Sequence, residues 1–305
     1  MLNFHTLYLN NSVKKPPTAK KISSVGIYWP DFNEINAETL ETKWQFKKRP
    51  VIAITFYSAL LQSGQTEVID ALISALGKYY NCIPIYSKSF KDKKNCDVTR
   101  YLLKEYNPIS VINLTGFSLS GMSSSKTIFD DARRPVFQVI LSSMSQHQWQ
   151  HSSKGLNNRD IIMSISLPEI DGRIITKTIA FKEEVSFDKL TQAKLLEYAP
   201  HDFGINYICN LVKNWSKLSL TLNENKNIFI CLANYPNKDS RIANGVGLDT
   251  PSSIVHLIKK LKKLDYKIID FPASSDQLMK KLIFFTHIKM ELKNCILSLK
   301  MSQHY

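Results

Sequence analysis

A chain of 305 residues can bury one large core or two modest ones, and its 44% apolar content is that of an ordinary globular protein. No run approaches the roughly 18 apolar residues that cross a bilayer, and the start, MLNFHTLYLNNS, lacks the basic and apolar regions of a secretory signal, so the expected compartment is the cytoplasm. The formal charge of +14 would suit an acidic partner, yet lysine far outnumbers arginine, as biased composition alone produces, and no nucleic-acid motif accompanies it; neither membrane nor nucleic acid is an expected partner.

Residues 1–24 contain NSVKKPPTAKKISS, the composition of an arm or linker. VIAITFY, at 51–57, predicts a buried strand. After the turn Ser63-Gly64-Gln65-Thr66, the apolar residues Val68, Ile69, Leu72, Ile73 and Leu76 recur at helical spacing. A short strand near Ile83–Tyr86, a helix around Val98–Tyr106 and the strands ISVINL (109–114) and PVFQVIL (135–141) continue the alternation. Strands alternating with helices predict a parallel sheet covered on both faces, with functional loops at the strands' carboxyl ends; Gly64 and Thr115-Gly116-Phe117 would lie there.

LPEIDGRI, at 167–174, reads as a turn leading to the strand-like stretch Ile174–Phe181. Residues 183–201 are polar and charged, and Phe203–Leu218 predicts a helix leading into a second domain. That domain would open with the strand NIFICLAN (227–234). It would continue with a helix capped by Thr250, with Pro251 at its first position and Ile254, Leu257, Ile258, Leu261 and Leu264 on one face, and would pair YKIID (266–270) as a second strand. The expected fold is thus α/β, two Rossmann/flavodoxin-like parallel-sheet units with flanking helices. The segments are an arm at 1–24, a first α/β domain at 25–201, the incomplete start of a second at 202–282, and a divergent basic tail at 283–305.

The loop ANYPNKDSRIANGVGLDTP, at 233–251, lacks the G-x-x-x-x-G-K-[ST] signature of a nucleotide phosphate loop, and Gly245-Val246-Gly247 is a lone G-x-G. Two readings stand. Lys238, Arg241 and backbone amides would face a carboxylated ligand, with Asp239 or Asp249 orienting the basic groups. Alternatively, Asn234, Asp239 and Asn244 form turns and Asp249 helps start the helix. Glu169, Asp171 and Arg173 similarly either meet a ligand or form an internally paired turn. His147 and His151, four apart, read as surface histidines because no third ligand or H-E-x-x-H pattern accompanies them, and no metal site is assigned. The five cysteines, Cys82, Cys96, Cys209, Cys231 and Cys295, form no C-x-x-C pair and read as reduced thiols.

The order of motifs carries a resemblance. Phe56-Tyr57, then Ala59-Leu60-Leu61-Gln62-Ser63-Gly64-Gln65-Thr66, then Asn113-Leu114-Thr115-Gly116-Phe117, LPEIDGRI and finally ANYPNKDSRIANGVGLDTP closely resemble the large subunit of aerobic cobaltochelatase, the CobN type. The last motif separates this family from the related magnesium chelatase large subunit, which shares a similar LPE-[LI]-DG turn. The resemblance runs from about Val25 to Leu282 but over an early portion of a family protein several times longer, so a fragment is expected. The tail IFFTHIKMELKNCILSLKMSQHY departs from the family pattern, and the family's later His-Gly-x-x-Glu-Trp segment has no counterpart.

The resemblance implies ATP-dependent insertion of Co(II), the substrate metal, into hydrogenobyrinic acid a,c-diamide in cobalamin biosynthesis. It implies that ATP and Mg(II) are used by separate ring-forming ATPase subunits, and it allows a separately encoded carboxyl-terminal portion as a further partner. Lys238, Arg241 and Asn244 are the first candidates for corrinoid contact or a domain junction, Glu169, Asp171 and Arg173 the next; none is assigned as catalytic. The competing readings are a noncatalytic basic α/β binding module, a degenerate chelatase remnant, and a magnesium chelatase large subunit.

Overall fold

The computed structural model describes residues 21–120, 127–130, 134–233 and 242–285. The chain divides after Ser216 into two units. The first is built on strands β1 (Val25–Ile27), β2 (Val51–Tyr57), β3 (Asn81–Ser87), β4 (Ser110–Asn113), β5 (Val136–Ser142), β6 (Ile174–Asp188) and β7 (Ala193–Pro200). They form one seven-stranded sheet in the order β1-β3-β2-β4-β5-β6-β7. The five inner strands run parallel, while β1 and β7 pair antiparallel at the edges. The inner order, β3-β2-β4-β5-β6, is the flavodoxin-like one, in which the chain switches direction between β2 and β4.

Period-two alternation along β2 explains how both faces are covered. Ile52, Ile54 and Phe56 face a core containing Ile69, Leu72 and Leu76 of a helix at Glu67–Gly77, and Ile205, Ile208 and Val212 of another at Asp202–Leu220. Ala53 faces the opposite core, with Ile83, Ile85, Val111 and the helical residues Leu102 and Leu103. In chain order the helices of this unit are α1 (Ala37–Lys43), α2 (Ser58–Gln62), α3 (Glu67–Gly77), α4 (Lys93–Tyr106), α5 (Gln146–Gln150), α6 (Asn158–Ile161), α7 (Leu167–Ile170) and α8 (Asp202–Leu220). A π-helical turn, Ile162–Ser166, joins α6 to α7.

The expected strands and helices between 51 and 141 are present, and three expectations elsewhere change. Residues 183–201, read only as polar and charged and assigned no element, mostly form the outer part of the β6–β7 hairpin, where Lys194 and Glu184 pair at 2.7 Å across the strands. Both faces there are largely exposed, so the apolar alternation that marks a strand in sequence is missing. Helix α8 packs into the first core through Ile205, Ile208 and Val212, so it belongs to the first unit instead of opening the second.

The third change concerns the second unit. Its described helices are α9 (Thr250–Lys263) and α10 (Ser275–Phe285), and neither 227–233 nor 266–270 forms a strand. A strand requires a neighbour for its N–H and C=O groups, and among the described residues these segments have none; Phe229 and Ile269 stand exposed. The cap of α9 also moves by one residue: Asp249, not Thr250, accepts the Ser252 N–H at 3.0 Å. Among the described residues no helix is long and apolar enough to cross a membrane.

Candidate functional site

Three polar residues on adjacent strands of the sheet are fully buried: Thr55 on β2, Asn113 on β4 and Gln138 on β5. Buried polar groups require partners, and these find one another across the sheet. Thr55 Oγ1 and Thr115 Oγ1 donate to Asn113 Oδ1 at 2.7 and 2.9 Å, and Asn113 Nδ2 donates to Gln138 Oε1 at 2.7 Å. Gln138 Nε2 then donates to the Thr115 carbonyl at 3.0 Å. The network fixes the strand ends from which the loop 114–120 departs.

That loop is clamped from the other side by the turn after α7. Arg173 donates to the Thr115 carbonyl at 3.2 Å, to Gln138 Oε1 at 2.9 Å and to the Phe117 carbonyl at 3.1 Å, and pairs with Asp171 at 2.7 Å. Asp171 accepts the backbone N–H groups of Leu119 (2.6 Å) and Ser120 (3.0 Å) and both serine hydroxyls, Ser118 and Ser120, at 2.7 Å. Both side chains of the pair are 1% exposed. Burial alone would raise the Asp171 pKa, but the donors from Leu119, Ser118 and Ser120 outweigh it and hold the carboxyl at about 2. This ion pair is a loop clamp of charge-assisted hydrogen bonds.

The clamped loop closes against the π turn. Phe117 lies in the left-handed region at φ 64° and donates its N–H to the Met163 carbonyl at 2.8 Å. A Cβ on Gly116 would stand 3.0 Å from that same oxygen, so only glycine fits without displacing the turn. π turns break the helical ladder and recur at functional sites.

The consequence is a cavity of about 310 Å³ at the carboxyl ends of β2, β4 and β5, where the sheet order reverses. In open α/β sheets this crevice is where ligands bind. Leu60, Leu114, Phe117, Leu141 and Met163 give it apolar walls, while Tyr57, Arg159, Asp160, Lys182 and Tyr198 bring polar groups. The Tyr57 hydroxyl donates to the Gly116 carbonyl at 3.1 Å. Burial pushes the Tyr57 and Tyr198 phenols up; at Tyr198 the nearby Asp160 adds to the rise and Arg159 opposes it. Both therefore stay protonated at neutral pH. Larger recesses of about 480 and 700 Å³ lie at the amino end of β4, beside Asn107, and along the lysine-rich face of α9, away from the carboxyl ends of the strands, and a third of about 480 Å³ lies at the carboxyl ends of β2 and β3, lined by Tyr57, Ser58, Gln62 and Lys88.

The candidates from sequence are dispersed. Lys238 and Arg241 lie outside the described residues. Asn244 is exposed immediately before a short turn closed by a Leu248 N–H to Gly245 carbonyl bond of 3.1 Å. Glu169 is exposed on α7, and Asp171 and Arg173 are spent on each other and on the loop. His147 and His151 stack with ring centroids 4.2 Å apart, and His151 Nδ1 lies 2.9 Å from the His147 carbonyl. Sequence reasoning missed Thr55, Gln138, Arg159, Lys182 and Tyr198. A polar residue inside a largely apolar parallel strand was the available signal for the first two.

Sheet order and cavity together define an α/β protein of the flavodoxin-like type with a crevice at its topological switch point. A family model described as CobN/Magnesium Chelatase matches residues 1–301, and the chain belongs to that family. It is 33% identical over 285 residues to an aerobic cobaltochelatase subunit CobN from a Sinorhizobium species, covering 90% of this chain and 22% of that protein. It is 31% identical to the subunit of the same name from Pseudomonas aeruginosa, covering 85% of this chain and 21% of that one. The chain thus spans about a fifth of the length of the curated relatives it matches. Identity to a magnesium-chelatase subunit from Chlorobaculum parvum is 23%, over 90% of this chain and 22% of that protein. The solved catalytic subunit of cobaltochelatase from Mycobacterium tuberculosis shares the fold, with a TM-score of 0.64 and 23% identity over 88% of this chain and 22% of that one.

Proposed function

We propose that this chain is a portion of the large subunit of an ATP-dependent cobaltochelatase, acting in the cytosol to insert Co(II) into hydrogenobyrinic acid a,c-diamide for cobalamin biosynthesis. The observation carrying this reading is 33% identity to a CobN subunit, against 23% to a magnesium-chelatase subunit at the same coverage of this chain. Insertion requires the ring nitrogens to lose protons while hydrated cobalt loses water, so the large subunit must hold both reactants close and oriented. In this reading the chain contributes part of the body that holds the acidic macrocycle, to which its formal charge of +14 is complementary. Lys238, Arg241 and Asn244 stand near the corrinoid or at a domain junction, with Glu169 next, and Asp171 and Arg173 act through the loop they fix.

The absence of a G-x-x-x-x-G-K-[ST] motif from the sequence accords with ATP and Mg(II) being used by separate ring-forming subunits. The rest of the large-subunit length is then supplied by a further portion, encoded together or separately. The test is cobalt insertion by this chain combined with the portion of the Sinorhizobium relative that it does not span and with the ATPase subunits. Insertion dependent on this chain supports the reading, and Arg241→Ala then lowers corrinoid affinity. No insertion under conditions where the intact Sinorhizobium subunit works contradicts the reading.

A further inference from the structure

The switch-point cavity carries two cations without an anionic partner. Arg159 lies on α6 and Lys182 on β6, and neither forms an ion pair among the described residues. Lys182 instead sets its ammonium 5.5 Å from the centre of the Tyr198 ring, a contact that leaves its charge available. The one carboxylate in the wall, Asp160, is already engaged: it accepts from the hydroxyl groups of Ser142 (2.9 Å) and Ser143 (2.8 Å), from the Ser143 N–H (2.8 Å) and from Asn157 Nδ2 (3.3 Å). Leu60, Met163 and Phe117 line the same cavity, the last 45% exposed and held by its hydrogen bond to the Met163 carbonyl.

We propose that this cavity is a carboxylate-recognition pocket: Arg159 and Lys182 hold the carboxylate, and Phe117, Leu60 and Met163 receive the apolar body attached to it. A cavity of about 310 Å³ is at the small end of ligand sites, too small for a whole macrocycle but sufficient for a small acid or one acidic side arm. That the carboxylate is a peripheral arm of the corrinoid rests on the cobaltochelatase reading; the pocket's chemistry does not.

The experiment follows backbone amide chemical shifts of the 305-residue chain during titration with 3-phenylpropionate, with 3-phenylpropanol, with inorganic phosphate and with the corrinoid named above. The expected result is saturable binding of phenylpropionate, with shifts at Gly116, Phe117 and Ser143, and none with the alcohol. Arg159→Gln, on an exposed side chain, weakens it about tenfold, as loss of one charge-assisted contact should. Lys182→Gln does the same, and if that variant fails to fold, Arg159→Gln and the alcohol control still decide. Binding of the alcohol as tightly as the acid, binding of phosphate in preference to the acid, or indifference to Arg159→Gln overturns the pocket. Corrinoid binding untouched by both variants, with phenylpropionate binding still dependent on Arg159, keeps the pocket and overturns the corrinoid arm as its occupant, while leaving the chelatase reading in place. Phenylpropionate binding that needs Arg159, without any corrinoid binding, keeps the pocket and counts against the corrinoid as its occupant.

Discussion

Asp171 and Arg173 show how a buried pair can hold a loop: beside their own contact Asp171 accepts four hydrogen bonds and Arg173 donates to three further acceptors, leaving only the Arg173 Nε without a partner among the described residues. Removing one partner leaves the other charge buried, so Arg173→Met should destabilise the chain by about 3–5 kcal/mol in urea unfolding. Asp171→Asn should show the pH signature of the clamp. The Asp171 carboxyl is held at about 2, below its ordinary 3.8, so its contribution is complete above about pH 4 and fades as pH falls through about 2. The stability gap between the native chain and Asp171→Asn should therefore narrow over that window; a constant gap would mean the carboxylate is not what the loop relies on. The cysteines give an independent check on burial, which pushes the Cys82 thiol up to about 12 and Cys209 to about 11, whereas Cys231 is exposed. Iodoacetamide at about pH 7.5, read by mass spectrometry, should label Cys231 and spare Cys82 until the chain is unfolded. Of the site residues, Asp171 and Arg173 were visible as a charged turn. Their target was not, because a hydrogen bond across more than fifty residues leaves no local spacing to read.

At the scale of elements, the strands and helices from 51 to 141 are legible because both faces of a parallel sheet are buried, which forces continuous apolar strands between amphipathic helices. The outer β6–β7 hairpin was not, because its exposure removes that pattern. The apolar segments 227–233 and 266–270 misled for the opposite reason: β-branched and aromatic residues fit a strand but cannot supply its neighbour. Close approach makes a sharper prediction at α8, where a Cβ on Gly204 would collide with the Thr178 carbonyl oxygen of β6. Gly204→Ala should cost about 1–3 kcal/mol by forcing helix and strand apart, seen as a lowered urea midpoint. In the second unit, Asp249→Ala should cost about 1 kcal/mol by removing the Ser252 N–H partner, and faster amide exchange confined to the first turn of α9 would identify the lost cap.

For the whole molecule, family membership rests on a match along nearly the full chain, and the fold supplies a sheet with a crevice at its switch point, but the chain spans only about a fifth of its CobN relatives. The sequence carried the family through ordered motifs, whereas the cavity emerged only when β2, β4 and the π turn were brought together. The central claim, that this chain belongs to a cobalt-inserting and not a magnesium-inserting assembly, is tested most directly by one absorbance titration. Hydrogenobyrinic acid a,c-diamide and protoporphyrin are each added to the chain combined with the remaining portion of the Sinorhizobium subunit. The account predicts saturable binding of the corrinoid that requires this chain, with weaker or no binding of protoporphyrin. Protoporphyrin binding without corrinoid binding would contradict it.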